Sequence, residues 1–197
     1  LLLIVLVVLC IIWLQRHYPP SSPITVISGD RCSGAVVEMQ NPVREHVAKT
    51  REFILADVNN SPQLPQVTND LLYNQTQLGN NFARFYGKEK GSQYHELLKK
   101  HIQQAAEVVN TAKAKLNTTF IVNQWYGNAD DIARFLASTN TRLDYQTMRT
   151  HMFDHLDLTL KEATASIQGN EQESLRWYNQ AQEEAKEMSQ YISTGLC

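Results

Sequence analysis

Three stretches of this chain share one helical pattern at nearly constant intervals. "REHVAKTREFI" surrounds residue 46, "KKHIQQAAEVV" residue 101 and "FDHLDLTLKEA" residue 155, so a histidine recurs after 55 and then 54 residues. A period of this size means one supersecondary unit per repeat, each too small to bury its apolar face alone. With each histidine as position zero, position −3 is Val43, Leu98 and Met152, and position +1 is Val47, Ile102 and Leu156. Position +4 is Thr50, Ala105 and Thr159, and position +8 is Ile54, Val109 and Ala163. These offsets fall on one side of a 3.6-residue helix, so each histidine lies in or beside an apolar stripe.

A second shared feature follows about 24 residues later: Leu71-Leu72, Trp125-Tyr126 and Trp177-Tyr178. Eight residues after each pair leader is a small residue, Gly79, Ala133 or Ala185. Eleven after it is a large apolar one, Phe82, Leu136 or Met188. Small and large residues on one face let two helices approach closely. The reading is three αα-hairpins, 42–86, 92–137 and 143–193, within a helical bundle of residues 42–197.

Breaks in the pattern agree. Two prolines interrupt "NNSPQLPQ" (59–66), and "FYGKEKGS" (85–92) holds Gly87 and Gly91 where helices stop, with Ser92 a cap for the next. "LNTT" (116–119), "STNTRLD" (138–144) and "IQGN" (167–170) are polar or tight turns. Five breaks make six helices, at 42–58, 65–86, 92–115, 119–137, 143–167 and 171–193. Short loops make neighbours antiparallel, so the expected fold is all-α, an up-down bundle or a short stacked array.

The N-terminal part differs in composition. Leu1 to Leu14 carry no charge, and Trp13, Arg16, His17 and Tyr18 suit a headgroup flank before Pro19-Pro20. Because a span needs about 20 apolar residues, residues 1–18 read as an N-terminally incomplete transmembrane helix, single-pass, rather than a cleaved signal peptide. Residues 19–41, rich in Pro, Ser and Gly, read as a linker in which "ITVIS" and "GAVVE" are short extended pieces. The lipid bilayer is thus an expected partner. A net charge of −2, with no basic stripe, gives no case for nucleic acid.

Candidate sites are few. His46, His151 and His155 could ligate one divalent transition metal such as Zn²⁺, because His151 and His155 at i and i+4 share a helix face and His46, or else His101, would complete three ligands. The preferred reading of the repeated histidines is a packing niche, with no cofactor and no catalytic residue. Repeats reproduce packing by default, and equivalent positions on different helices need not converge. The Glu-x-x-His and His-Glu-x-x-His signatures are missing. Asp130-Asp131 reads as a solvated first-turn pair, and Trp125, Tyr126, Trp177 and Tyr178 as core rather than a ligand groove. A Cys32–Cys197 bridge would join the ends of the folded region, two free thiols being the alternative. Asn74 and Asn117 head glycosylation sequons.

Several segments are similar to a family of small, uncharacterised helical proteins of bacteria and large double-stranded DNA viruses. The matching motifs are His46, Val47, Thr50 and Arg51; Phe85, Tyr86 and Gly87; and Leu97, Leu98, His101 and Ile102. Trp125, Tyr126, Asn128, Ala129 and Asp130 continue the match, and His155-Leu156 ends it. The likeness covers about residues 43–192. It implies a helical bundle and three histidines but no transferable activity. With the anchor, the chain looks like a viral membrane-associated minor capsid protein, a structural virion component linking an internal membrane to capsid proteins. The alternatives are a metal-dependent enzyme resembling DinB-like four-helix proteins and an extracytoplasmic receptor-like binding domain.

Overall fold

The structure, a computed structural model, describes residues 29–196. Six helices follow one another: α1 (Gly29–Val58), α2 (Leu64–Tyr86), α3 (Lys88–Lys113), α4 (Thr119–Thr139), α5 (Tyr145–Ile167) and α6 (Glu171–Thr194). No strand occurs among the described residues. Each helix packs on the next, and α6 returns to pack on α1, so the up-down bundle closes into a ring. Across the ring α1, α3 and α5 also touch one another. The first helix of every hairpin therefore sits inward and carries the repeated histidine.

The offset stripes are the reason. Val43, Leu98 and Met152 are buried, as are Val47, Ile102 and Leu156, then Ile54, Val109 and Ala163. On the outer helices Phe82, Leu136 and Met188 close over them, and Ala133 and Ala185 are fully buried. The third hairpin departs from the expected register. Trp177, at the position of the buried Leu71 and Trp125, is partly exposed under Lys161 and Arg176, while Ala181, one turn on, is buried as Gln75 and Ala129 are.

Helix α1 corrects the expected linker. It begins at Gly29, so residues 29–41, "GAVVE" included, are helical, and Met39 is in the core. Pro42 lies inside this helix. Lacking an N–H, it cannot bond the carbonyl of Glu38. The Asn81 side chain of α2 donates to that carbonyl instead, at 2.8 Å. Asn74, two turns earlier on α2, donates to the Pro42 carbonyl at 3.0 Å. These two asparagines bind α2 to the stretch of α1 that the proline would otherwise weaken.

The turns are also simpler than expected. Gly87 alone separates α2 from α3, at φ +87°, a backbone that suits glycine. Gly91 and Ser92 lie within α3. Gly91 and Gly79 face each other between α2 and α3, where a Cβ on Gly79 would stand 2.7 Å from the Cβ of His95. Asp144 and Asn170 cap α5 and α6, their side chains accepting from Thr147 N at 2.8 Å and Glu173 N at 3.2 Å.

The expected transmembrane helix at 1–18, "ITVIS" and Cys197 lie outside the described residues. Among the described residues no helix is long and apolar enough to cross a membrane.

A candidate site of three histidines on the bundle axis

His46, His101 and His155 do converge. Inward placement of α1, α3 and α5 brings the His46 and His155 ring centres within 5.6 Å and those of His101 and His155 within 6.2 Å. Equivalent positions, which need not meet, do so here because the ring of hairpins closes. The rings border a cavity of about 40 Å³, whose other walls include Leu78, Leu98, Leu136, Met152 and Met188.

The outer helix of each hairpin places a polar side chain near Nδ1 of its own histidine, within hydrogen-bond reach for His46 and His101. Gln75 Nε2 is 3.1 Å from His46 Nδ1, and Asn128 Oδ1 is 3.0 Å from His101 Nδ1. Glu184 Oε2 stands 3.9 Å from His155 Nδ1. The partners are a carboxamide, a carboxamide and a carboxylate, each 27 to 29 residues after its histidine. Among the described residues nothing bonds Nε2 of any of the three.

The hydrogen bonds constrain the tautomers. Asn128 Nδ2 donates to the Leu97 carbonyl, so its Oδ1 faces His101 and Nδ1–H of His101 donates to it. Nε2 of His101 therefore keeps a free lone pair. His155 is placed alike, with Nδ1 toward a carboxylate. Gln75 Nε2 lies within reach of three acceptors, the Leu71 carbonyl, Asn74 Oδ1 and His46 Nδ1, but has only two protons. Gln75 Oε1, His155 Nδ1 and Glu184 Oε2 are buried without a hydrogen-bond partner.

All three imidazoles are neutral at pH 7. Burial, and then the nearness of His155, push His101 down to about 3 against the bond to Asn128. His46 is driven well below its usual value by burial, then by the nearness of His155 and His101. His155 is lowered by burial despite the attraction of Glu184.

The sequence-based ligand set is only partly assembled. His46 and His155 share the axis, but His151 turns outward. Its Nδ1 meets Glu184 Oε1 at 3.1 Å, its ring packs on Tyr191 at 5.5 Å, and the bond to Glu184 raises its pKa. Among the described residues no three His, Cys, Asp or Glu side chains already stand at metal-ligand spacing. Asn74 is fully buried and bonded to the Pro42 carbonyl, so it is no glycan acceptor in the folded chain, whereas Asn117 is exposed in the α3–α4 turn. Asp130 is no first-turn residue of α4. Its carboxylate receives Tyr145, Arg134 and Arg149, while Asp131 is exposed. Trp125 is core and stacks on His101 at 5.3 Å.

Sequence reasoning misses a second polar cluster. Glu162, 1% exposed, takes Arg51 Nη1 at 2.9 Å, and the same nitrogen reaches Ser174 Oγ at 3.1 Å. Arg51 also lies over the Tyr178 ring, 4.9 Å from its centre. Burial lifts the Glu162 carboxyl to about 7 against the pull of Arg51. A cleft of about 390 Å³ opens beside Arg51, Ser166 and Ser174. The available signal is a lone carboxylate on an apolar face, seven residues after His155, opposite a lone arginine five after His46.

Comparison with protein-family models, with curated proteins and with solved structures returned no match to this chain. The likeness of residues 43–192 to a helical family therefore stands on its motifs alone.

Proposed function

We propose that the chain is a membrane-tethered helical-bundle protein whose role is structural and interactive, performed on the outer surface of the bundle. The observation that supports this most is the filled interior. The two axial cavities measure about 40 Å³ and about 20 Å³, whereas sites for organic ligands occupy about 300–1,000 Å³. The axis has room for an ion or a water, not an organic substrate.

In this reading residues 1–18 hold the bilayer, and α1, 30 residues long, carries the chain about 45 Å from its start. The far end exposes Leu116 and Phe120 at the α3–α4 turn and Leu175 early in α6. Apolar contacts there suit protein partners, and a capsid shell over an internal virion membrane is the setting proposed.

Liposome flotation checks the tether. The full chain is expected to float with the vesicles and a chain lacking residues 1–18 to stay at the bottom of the gradient. A full chain that stays behind would remove the membrane from this proposal.

A further inference from the structure

We propose that His46, His101 and His155 bind one late first-row transition-metal ion on the bundle axis through their Nε2 nitrogens. Three observations point there. The three side chains come from three separate helices and border one small cavity. His46 and His101 are bonded at Nδ1 from the outer helix of their own hairpins, and the Glu184 carboxylate stands 3.9 Å from His155 Nδ1, so no Nε2 is used by these contacts. Gln75 Oε1, His155 Nδ1 and Glu184 Oε2, all beside the triad, have no hydrogen-bond partner.

The chemistry fits such an ion. Neutral imidazole is the ligating form of histidine, and a carboxamide oxygen or carboxylate behind the ligand orients the ring and raises its basicity. Asn128 and Glu184 stand in those places. Imidazole suits zinc, copper, iron or nickel rather than magnesium or calcium, and the thioethers of Met152 and Met188 on the cavity wall favour the softer end of that group. Glu184 supplies nearby negative charge.

The rings are slightly too far apart as they stand. Three imidazoles on one ion about 2.1 Å from each nitrogen have ring centres roughly 5 to 5.5 Å apart, against the observed 5.6 and 6.2 Å. For these two pairs, binding therefore draws the rings together by less than about 1 Å. It also requires His46 to carry its proton on Nδ1. Turning over the Gln75 carboxamide presents the unpartnered Oε1 to that proton, with loss of the amide bonds to Leu71 and Asn74.

The test uses the full chain in detergent, stripped with chelator, with Cys10, Cys32 and Cys197 changed to serine so that thiolates cannot compete. Co²⁺ and Zn²⁺, and Cu⁺ under reductant, are titrated separately. The expected result is one equivalent of metal per chain, with a tetrahedral visible spectrum for Co²⁺. His101→Gln and His155→Gln should weaken binding at least about tenfold, and Asn128→Ala by about 10- to 100-fold. His151→Gln should leave it unchanged. Gln75→Glu, which fixes the His46 Nδ1–H tautomer without that rearrangement, should tighten it. Circular dichroism identifies any variant that fails to fold, and Gln75→Glu then decides. No stoichiometric metal in the parent chain, binding undisturbed by His101→Gln and His155→Gln, loss in His151→Gln alone, or no tightening in Gln75→Glu would each overturn the site.

Discussion

Arg51 and Glu162 show how one residue can dictate the ionisation of another. The carboxyl is buried, and the guanidinium beside it holds to about 7 a pKa that burial raises. Arg51→Ala is expected to destabilise the bundle by about 3–5 kcal/mol at pH 8, because it strands a buried charge. Glu162→Gln added to Arg51→Ala should recover much of that loss, since a carboxamide can keep the Ser174 neighbourhood satisfied without charge. Urea unfolding of the two variants at pH 8 checks this, and equal midpoints would show that the pair does not act as a unit. The pair escapes sequence reading because its members lie 111 positions apart, and only the closed ring makes them neighbours. The histidines are visible as a repeat, but their meeting is not, since equal offsets fix a helix face and not the direction that face takes.

Helices are the most legible level. Their number and most of their limits follow from periodicity and turn residues, because each signal is local. The largest departure is the start of α1. Pro42 fits the first turn of a helix, where its missing N–H costs nothing, so a helix beginning there is the natural local reading. The remedy, Asn81 reaching back to the Glu38 carbonyl, is 43 residues away and invisible locally. Trp177 departs from expectation for a related reason. Its spacing matches Trp125, yet it is partly exposed and Ala181, one turn on, is the buried residue.

Glycines separate packing from propensity at this scale. Gly79 and Gly91 lie where α2 and α3 nearly touch, so Gly79→Ala or Gly91→Ala should force the helices apart and cost about 1–3 kcal/mol. Gly127, in the middle of α4, faces solvent, and a methyl group added there would meet nothing within 4 Å. Gly127→Ala should stabilise by about 0.5–1 kcal/mol. Thermal melts of the three variants compare them, and a loss at Gly127 equal to that at Gly79 would mean that helix contact is not the cause.

At the scale of the whole molecule the triad sets the response to acid. Native pKa values of His46, His101 and His155 lie below those of the unfolded chain. Between about pH 6.5 and those lower values the unfolded state binds more protons, so stability falls as pH falls. Glu162 opposes this. Its native pKa is raised to about 7, so the folded state binds the extra proton and gains stability as pH drops through 7 toward the usual carboxylate range. His151, also raised, contributes stability that is complete below about 6.5 and fades above it. Three histidines against one carboxyl leave a net loss of stability as pH falls below about 6. Denaturant midpoints at pH 7, 6 and 5 are expected to fall, and a flat profile would mean that the histidines are not held neutral in the core.

The seam where α6 meets α1 is of the same kind as the seams where α2 meets α3 and α4 meets α5, except that no peptide crosses it. The molecule is thus three covalently joined hairpins in a closed ring, with one histidine of each on the inner helices. A single hairpin with no linker to its neighbours would find the same partners in two further copies of itself, by the cyclic symmetry that governs small assemblies. What joining the copies adds is freedom for each to differ. One histidine can then be backed by Gln75, another by Asn128 and the third by Glu184, an asymmetry that no true homotrimer could encode.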